Sequence, residues 1–235
     1  MCGPSATPDG AGTQAVQPET TLSHSINADA ASALRGYVPQ STLCAAAFDR
    51  GISVLPLAIV HHSMRVYLFA NWLARREKSE WADHDLLFVA SFCHDLGASH
   101  HHNGPQRFEV EGADAAADIL RVHGREEQDV HEVWTAIALH TSPGIAERIT
   151  PLARLVRLGV LIDFRPATHQ ALDAVVYGQE IESKLPRLDI EKVLSDAVVQ
   201  QAVQNPQKAP PASWPNNLYK SYLENPGWTG VNRAF

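Results

Sequence analysis

The sequence predicts an all-α fold, a single bundle of helices packed around a central polar pocket. Apolar residues recur at helical spacing through most of the chain, and Pro and Gly residues punctuate these stretches at the positions where helices begin and end. No run of alternating β-branched residues and no internal repeat is present. The chain of 235 residues is long enough to bury one sizeable core. We therefore expect one helical domain.

The first 25 residues differ from the rest of the chain. They are rich in Gly, Pro, Ser, Thr and Ala and have no apolar period, which is typical of a flexible arm. The domain is then expected to span residues 26–235, including a C-terminal extension. Its first helix should begin near Asn27 or Asp29, which are good N-cap residues, and end before Gly36.

The longest predicted helix follows Pro56, in the segment LAIVHHSMRVYLFANWLARREK. Pro56 stands at its first turn, where a missing N–H is harmless. Apolar residues cover much of the helix surface, so we expect it to be largely buried. His62 and Arg65 are three residues apart and share a face, and should therefore point toward one site or one common partner.

The next predicted helix runs from about Asp83 to Asp95, with Gly97 as its terminator. It ends in the segment SFCHDLG, where His94 and Asp95 are adjacent. Neighbouring helical side chains point about 100° apart. These two can therefore share an ion only if it lies close against the helix.

Five further helices complete the predicted bundle, each bounded by Gly, Pro or a polar cap. They are expected at residues 107–123, 126–142, 151–164, 189–204 and 214–224.

Two histidines and two aspartates in apolar helical contexts predict a metal site. They are His62 in HHSMRVY, His94 and Asp95 in SFCHDLG, and Asp163 in GVLIDF. A buried carboxylate must be paired or metal-bound, because leaving it unpaired is costly. Imidazole nitrogen and carboxylate oxygen suit Zn²⁺ or Fe²⁺, and four such ligands leave a position for the water that hydrolytic metals activate.

Charge and composition exclude several classes of protein. The chain has 19 basic and 26 acidic residues, a net charge of −7, and so lacks the basic face that nucleic acids or membrane surfaces require. Its apolar stretches are too short to span a membrane, and we expect no secretory signal. Three cysteines without CxxC spacing predict no disulfide framework, which fits a cytoplasmic protein.

The ordered segments HSMRVY, CHDLG and LIDF resemble the HD-domain superfamily of metal-dependent hydrolases. The segments RFEVEGADAA and LHTSPGIAER, together with the C-terminal SWPNNLYKSYLENPGWTGVNRAF, look like the cyanamide hydratase group within it. The resemblance covers roughly residues 40–235. It implies a homo-oligomeric lyase that detoxifies cyanamide by hydrating it to urea, using zinc, or iron as the alternative metal.

Three residues are expected to act beside the metal in that reaction. Asp95 would be both a ligand and a proton shuttle, His140 a neutral hydrogen-bond donor to the nitrile nitrogen, and Thr141 the group that binds the amino end. Because cyanamide is small and uncharged, we expect a tight, largely apolar pocket.

A phosphohydrolase acting on a nucleotide remains an alternative. Many such relatives carry a Lys in the pattern HDxGK, where this chain has Ala98. Phosphate esters need fixed positive charge, which Arg35, Arg65 or Arg107 could supply.

Two further alternatives use other residues or no chemistry at all. A two-iron oxygenase would bind its second iron through His123 and His140, and a helical binding module would have no catalytic role. The run His100, His101 and His102 is either a loop near the metal or a set of solvated residues.

Overall fold

A computed structural model describes residues 26, 28–225 and 227, and the predicted arm at residues 1–25 lies outside them. The described residues form α-helices, short 3₁₀ turns and loops, without any strand, so the all-α prediction is confirmed. The α-helices of this part of the chain are α1 (Ala28–Arg35), α2 (Thr42–Val54), α3 (Leu57–Glu77), α4 (Asp85–Cys93), α5 (Phe108–Val122), α6 (Glu127–Leu139), α7 (Ala146–Ile149), α8 (Pro151–Phe164), α9 (Pro166–Ala171), α10 (Val175–Lys184), α11 (Ile190–Gln204) and α12 (Trp214–Glu224).

Every predicted helix is present, and four additional ones were not predicted: α2, α7, α9 and α10. Helix α2 begins at a Ser41 cap, whose hydroxyl accepts a hydrogen bond from the Cys44 backbone N–H at 3.1 Å. It also contains Gly51, which weakens the helical pattern. The glycine is needed because a Cβ there would lie 2.5 Å from the Phe92 ring of α4.

Helix α3 is the centre of the fold, with 15 of its 21 residues buried. It crosses α8 closely, because Gly159 has no side chain: a Cβ there would lie 2.6 Å from the Val66 carbonyl oxygen. On α3, His62 lies four residues before Val66, and on α8, Asp163 lies four residues after Gly159. Residues four apart share a helix face, so this crossing brings His62 and Asp163 together.

The His94-Asp95 pair lies just beyond the end of α4, which differs from the prediction. Helix α4 ends at Cys93, and Asp95 has backbone angles of φ −105° and ψ 11°. A 3₁₀ turn, Leu96–Ala98, follows. Gly97 therefore does not terminate α4. It lets this turn abut α5, since a Cβ there would lie 1.9 Å from the Phe108 carbonyl oxygen.

Among the helices of the described residues, none combines the length and the apolar character needed to cross a membrane.

Candidate metal centre and its cavity

A cavity of about 470 Å³ opens beside α3, the His94-Asp95 pair and α8. Its walls come from two parts of the chain. One wall comes from the helices up to α6 and from the turn that follows α6. The other wall comes from α8, α11 and the segment around α12. The two walls meet where the Trp214 ring lies 5.8 Å from the Phe108 ring, measured between centroids. The lining residues are His62, His94, Asp95, Arg107, Phe108, His140, Thr141, Ser142, Pro143, Ile145, Arg157, Val160, Leu161, Phe164, Arg165, Leu194, Ala212, Ser213, Trp214 and Asn217.

His62, His94 and Asp95 form a compact cluster at the buried end of this cavity. The Nε2 atom of His62 is 3.2 Å from Nε2 of His94 and 3.5 Å from Oδ2 of Asp95. His94 Nε2 is in turn 3.2 Å from the same Oδ2. All three side chains are 1% exposed or less, so water does not separate them.

The other ring nitrogens define which tautomers the two histidines adopt. His62 Nδ1 lies 2.7 Å from Oδ2 of Asp163, and His94 Nδ1 lies 2.7 Å from the Ser91 carbonyl oxygen. Carboxylate and carbonyl oxygens can only accept, so each Nδ1 carries the proton. In the neutral rings, both Nε2 atoms therefore present lone pairs to the cluster.

Asp95 adds two more acceptors, and neither Oδ1 nor Oδ2 receives a hydrogen bond within the described residues. Buried polar atoms are almost always partnered, so each exception needs a reason. Lone pairs from two imidazoles and a carboxylate converge without a donor among them. A divalent cation that takes nitrogen and oxygen ligands fits this set, and zinc and iron fit it equally well.

The pKa shifts of Asp95 and His94 also indicate that positive charge is favourable at this cluster. Burial acts to raise the pKa of Asp95, but the charge of His94, followed by the charges of His62 and His140, outweighs burial and holds it well below its usual range. Burial acts to lower the pKa of His94, and the adjacent Asp95 carboxylate raises it instead. Asp95 is thus ionised, and the space between it and His94 favours a cation.

Asp163 lies on the far side of His62 from this cluster. Its Oδ1 accepts from Arg65 Nε at 2.7 Å, and its Oδ2 accepts from Arg65 Nη2 at 2.8 Å and from His62 Nδ1 at 2.7 Å. His62 and Arg65 therefore share one partner, as their spacing predicted. The structure does not place Asp163 with the other three predicted ligands, because its oxygens are engaged in holding the His62 ring.

His140 approaches the cluster from the end of α6, with its Nε2 atom 3.7 Å from Asp95 Oδ1. Its Nδ1 lies 2.6 Å from the Ile137 carbonyl oxygen and so carries the proton of the neutral ring. Burial, followed by the charge of His94, lowers the pKa of His140 to about 3. Neutral His140 is consequently an acceptor at Nε2, so the geometry favours a base at this position over the donor that the sequence suggested.

A second polar cluster forms the wall next to His140. Thr141 Oγ1 donates to Glu109 Oε1 at 2.6 Å, and Arg107 binds the same carboxylate through Nε at 2.9 Å and Nη2 at 2.5 Å. Glu109 is completely buried. Its position at the start of α5 indicated a solvated residue as readily as a functional one, and no signal in the sequence distinguished the two.

The arginines considered for phosphate binding lie in different environments. Arg35 pairs with Asp49 at the surface, Arg65 is buried against Asp163, and Arg107 lines the cavity. Two arginines not anticipated from the sequence, Arg157 and Arg165, also line it.

The remaining histidines of interest do not reach the cluster. His123 caps α5 and bonds the Ile119 carbonyl oxygen at 2.8 Å, and it is not among the cavity-lining residues. The two-iron arrangement with His123 is therefore not supported. His100, His101 and His102 also lie outside the cavity lining.

Comparison with known proteins identifies part of the chain. No curated protein matches it. A family model described as the HD domain matches residues 59–159, a range that contains His62, His94, Asp95, His140 and Thr141. HD domains bind divalent metals and are typically metal-dependent hydrolases, in agreement with the cluster described above. Residues 59–159 are thus similar to the HD domain, and this matched range contains the buried His/Asp cluster at the cavity.

Proposed function

We propose that this protein is a metal-dependent hydratase that adds water across the nitrile bond of cyanamide to give urea. The water oxygen bonds to the nitrile carbon, and both water hydrogens end on the nitrile nitrogen, so no co-reactant is needed. The observation that carries the proposal is the convergence of His62, His94 and Asp95 lone pairs at the buried end of the cavity.

His62, His94 and Asp95 would hold the metal, which we propose to be zinc, with iron as the alternative. When bound, such a metal lowers the pKa of a coordinated water to about 7 and so supplies a nucleophile at neutral pH. Asp163 and the Ser91 carbonyl hold the two imidazole rings with Nε2 toward the cluster.

Asp95 and His140 are the candidates for proton transfer. Oδ1 of Asp95 and Nε2 of His140 are both acceptors and lie 3.7 Å apart at the edge of the cluster. A proton leaving water can be held by either atom and returned to the nitrile nitrogen. In this scheme His140 serves as a base, in place of the donor role that the sequence indicated.

The charges around the cavity support an uncharged substrate. Arg107 is neutralised by Glu109, and Arg157 by Glu147 at 3.2 Å. Ala98 replaces the lysine typical of the phosphohydrolase pattern. Thr141, which lines the cavity next to His140, is the candidate for binding the amino group.

The size of the cavity differs from the tight pocket that we expected. At about 470 Å³ it falls in the usual range of ligand sites, roughly 300–1,000 Å³. Cyanamide, with three heavy atoms, would occupy only the end beside His94 and Asp95. The remaining volume leaves room for nitriles that carry a larger group.

Phosphate-ester hydrolysis is the second candidate, and one residue favours it. Arg165 lines the cavity and is exposed, and its guanidinium makes no hydrogen bond or ion pair with other described residues. A guanidinium without a partner at the mouth of a roomy cavity can bind a phosphate group.

The two candidates are separated by their products. Purified protein is stripped of metal, reloaded with Zn²⁺ or Fe²⁺, and given cyanamide or nucleotides, with urea, phosphate and bound metal measured in parallel. We expect urea from the reloaded protein and none from a His94→Ala variant. His123→Ala, which changes a histidine outside the cavity, is the matched control and should retain activity. Phosphate release from nucleotides without urea from cyanamide would overturn the proposal.

A further inference from the structure

We infer that Glu109 makes the Thr141 hydroxyl a hydrogen-bond acceptor toward the cavity, and that the site thereby selects substrates bearing N–H groups. Glu109 is then a positioning residue that acts through Thr141. The choice of cyanamide as the probe rests on the proposed function, whereas the hydrogen-bond polarity of Thr141 does not.

The Thr141 hydroxyl has a limited capacity for hydrogen bonds. A threonine hydroxyl has one hydrogen to donate and two lone pairs to accept with. At 2.6 Å, Thr141 Oγ1 gives its hydrogen to Oε1 of Glu109. Arg107 Nη2 donates to Oγ1 at 3.3 Å and uses one lone pair. One acceptor site therefore remains for a ligand, and no donor.

Glu109 is held in place by burial and by Arg107. The carboxylate is completely buried, so water does not compete for its oxygens. Arg107 binds both oxygens, through Nε to Oε2 and through Nη2 to Oε1. A bidentate pair of this kind fixes orientation as well as adding energy. The Thr141 hydroxyl is consequently held in one orientation.

Thr141 also lies where a substrate would meet it. Thr141 follows His140 directly, and both line the cavity that also holds Asp95. A small molecule bound against Asp95 and His140 therefore meets the Thr141 acceptor. The amino group of cyanamide can donate to it, whereas the nitrogen of N,N-dimethylcyanamide has no hydrogen to donate. A site whose polar group is left unpaired rejects such an analogue.

The kinetic test compares these two substrates. In Thr141→Val, which keeps the side-chain shape, we expect kcat/KM for cyanamide to fall roughly tenfold or more, mainly through KM, because one hydrogen bond is lost. The fall in kcat/KM for dimethylcyanamide should be much smaller, so the preference for cyanamide over dimethylcyanamide should largely disappear. Thr141→Ser should restore it. Ser142→Ala removes a hydroxyl from the next residue of the same wall. It should change kcat/KM for the two substrates by the same factor, and so leave the preference for cyanamide unchanged.

Glu109→Gln tests the positioning role directly. An amide at this position can donate to Oγ1, which frees the hydroxyl hydrogen to point into the cavity. We expect the ratio of kcat/KM for cyanamide to that for dimethylcyanamide to fall as in Thr141→Val. Thermal unfolding and metal content verify that the variant is folded, since Arg107 loses its ionic partner.

A binding measurement without turnover separates this inference from the proposed function. Saturation-transfer NMR compares urea with tetramethylurea, which lacks N–H groups, on the parent protein and on Thr141→Val. If cyanamide yields no urea but Thr141→Val removes a preference for urea binding, the proposed function fails and the inference stands. If the parent shows no such binding preference, or if Thr141→Val lowers kcat/KM equally for both nitriles, the inference is overturned.

Discussion

Asp95 and Asp163 are two buried carboxylates on opposite sides of the His62 ring, and their surroundings differ completely. Asp163 accepts hydrogen bonds from Arg65 and from His62 Nδ1. Asp95 accepts none within the described residues and faces the lone pairs of neighbouring imidazoles. One carboxylate is satisfied by the protein itself, whereas the other has unpartnered oxygens that suit the metal we propose. The inventory of donors around a buried carboxylate therefore distinguishes structural support from a metal ligand.

The largest effect is expected for Asp95→Asn. An amide is a poor metal ligand and offers an N–H₂ donor to the neighbouring imidazole nitrogens. We predict that the variant retains almost no metal after dialysis and loses at least about a thousandfold in turnover, because the metal contributes several kcal/mol. The metal-free variant should melt no lower than the metal-free parent, since an unpaired charge has been removed. Elemental analysis measures the metal content, and thermal unfolding measures the melting temperature. Full metal content in Asp95→Asn would contradict the distinction drawn between Asp95 and Asp163.

Asp163→Asn should have the opposite effect: a large loss of stability, with the metal still bound. It leaves the buried Arg65 without its ionic partner, which costs about 3–5 kcal/mol in the free energy of unfolding. The metal should remain bound with roughly 10–100-fold weaker affinity, because only the orientation of the His62 ring is disturbed. Denaturant unfolding and competition with a chelator measure the two effects. Loss of the metal itself would instead make Asp163 the fourth ligand that the sequence predicts.

Asp49→Asn provides the baseline for an exposed carboxylate. Asp49 pairs with Arg35, and about half of each side chain is exposed, 55% and 50% respectively. Exposed ion pairs contribute little, so we expect the free energy of unfolding to change by no more than about 0.5 kcal/mol. Metal content should be unchanged. A loss above about 1 kcal/mol would show that exposure does not explain the difference between the carboxylates.

The sequence predicted the framework and three members of the cluster, because both follow from local patterns. Helices α3 and α8 have clear apolar periods and a proline at or just before their first turn, and the His94-Asp95 pair is a local motif. Helix α2 was missed because Gly51 serves a tertiary contact with Phe92.

Two site residues show why local pattern was insufficient. Whether Asp163 binds a metal or an arginine depends on the rotation of α8 against α3, which residue spacing does not specify. The burial of Glu109 likewise depends on Arg107 and Thr141, and Thr141 is 32 positions away along the chain.

The cavity walls divide between two stretches of the chain. Residues 59–159 supply the His/Asp cluster, His140 and Thr141, whereas Leu194, Trp214 and Asn217 close the opposite side from beyond that range. The reactive cluster and the wall that faces it are thus encoded by different stretches of the chain, although Thr141 adds selectivity from within the first. Substitutions around α12 can retune which molecules enter, while the reactive centre stays intact, so a new specificity can arise without rebuilding the catalyst.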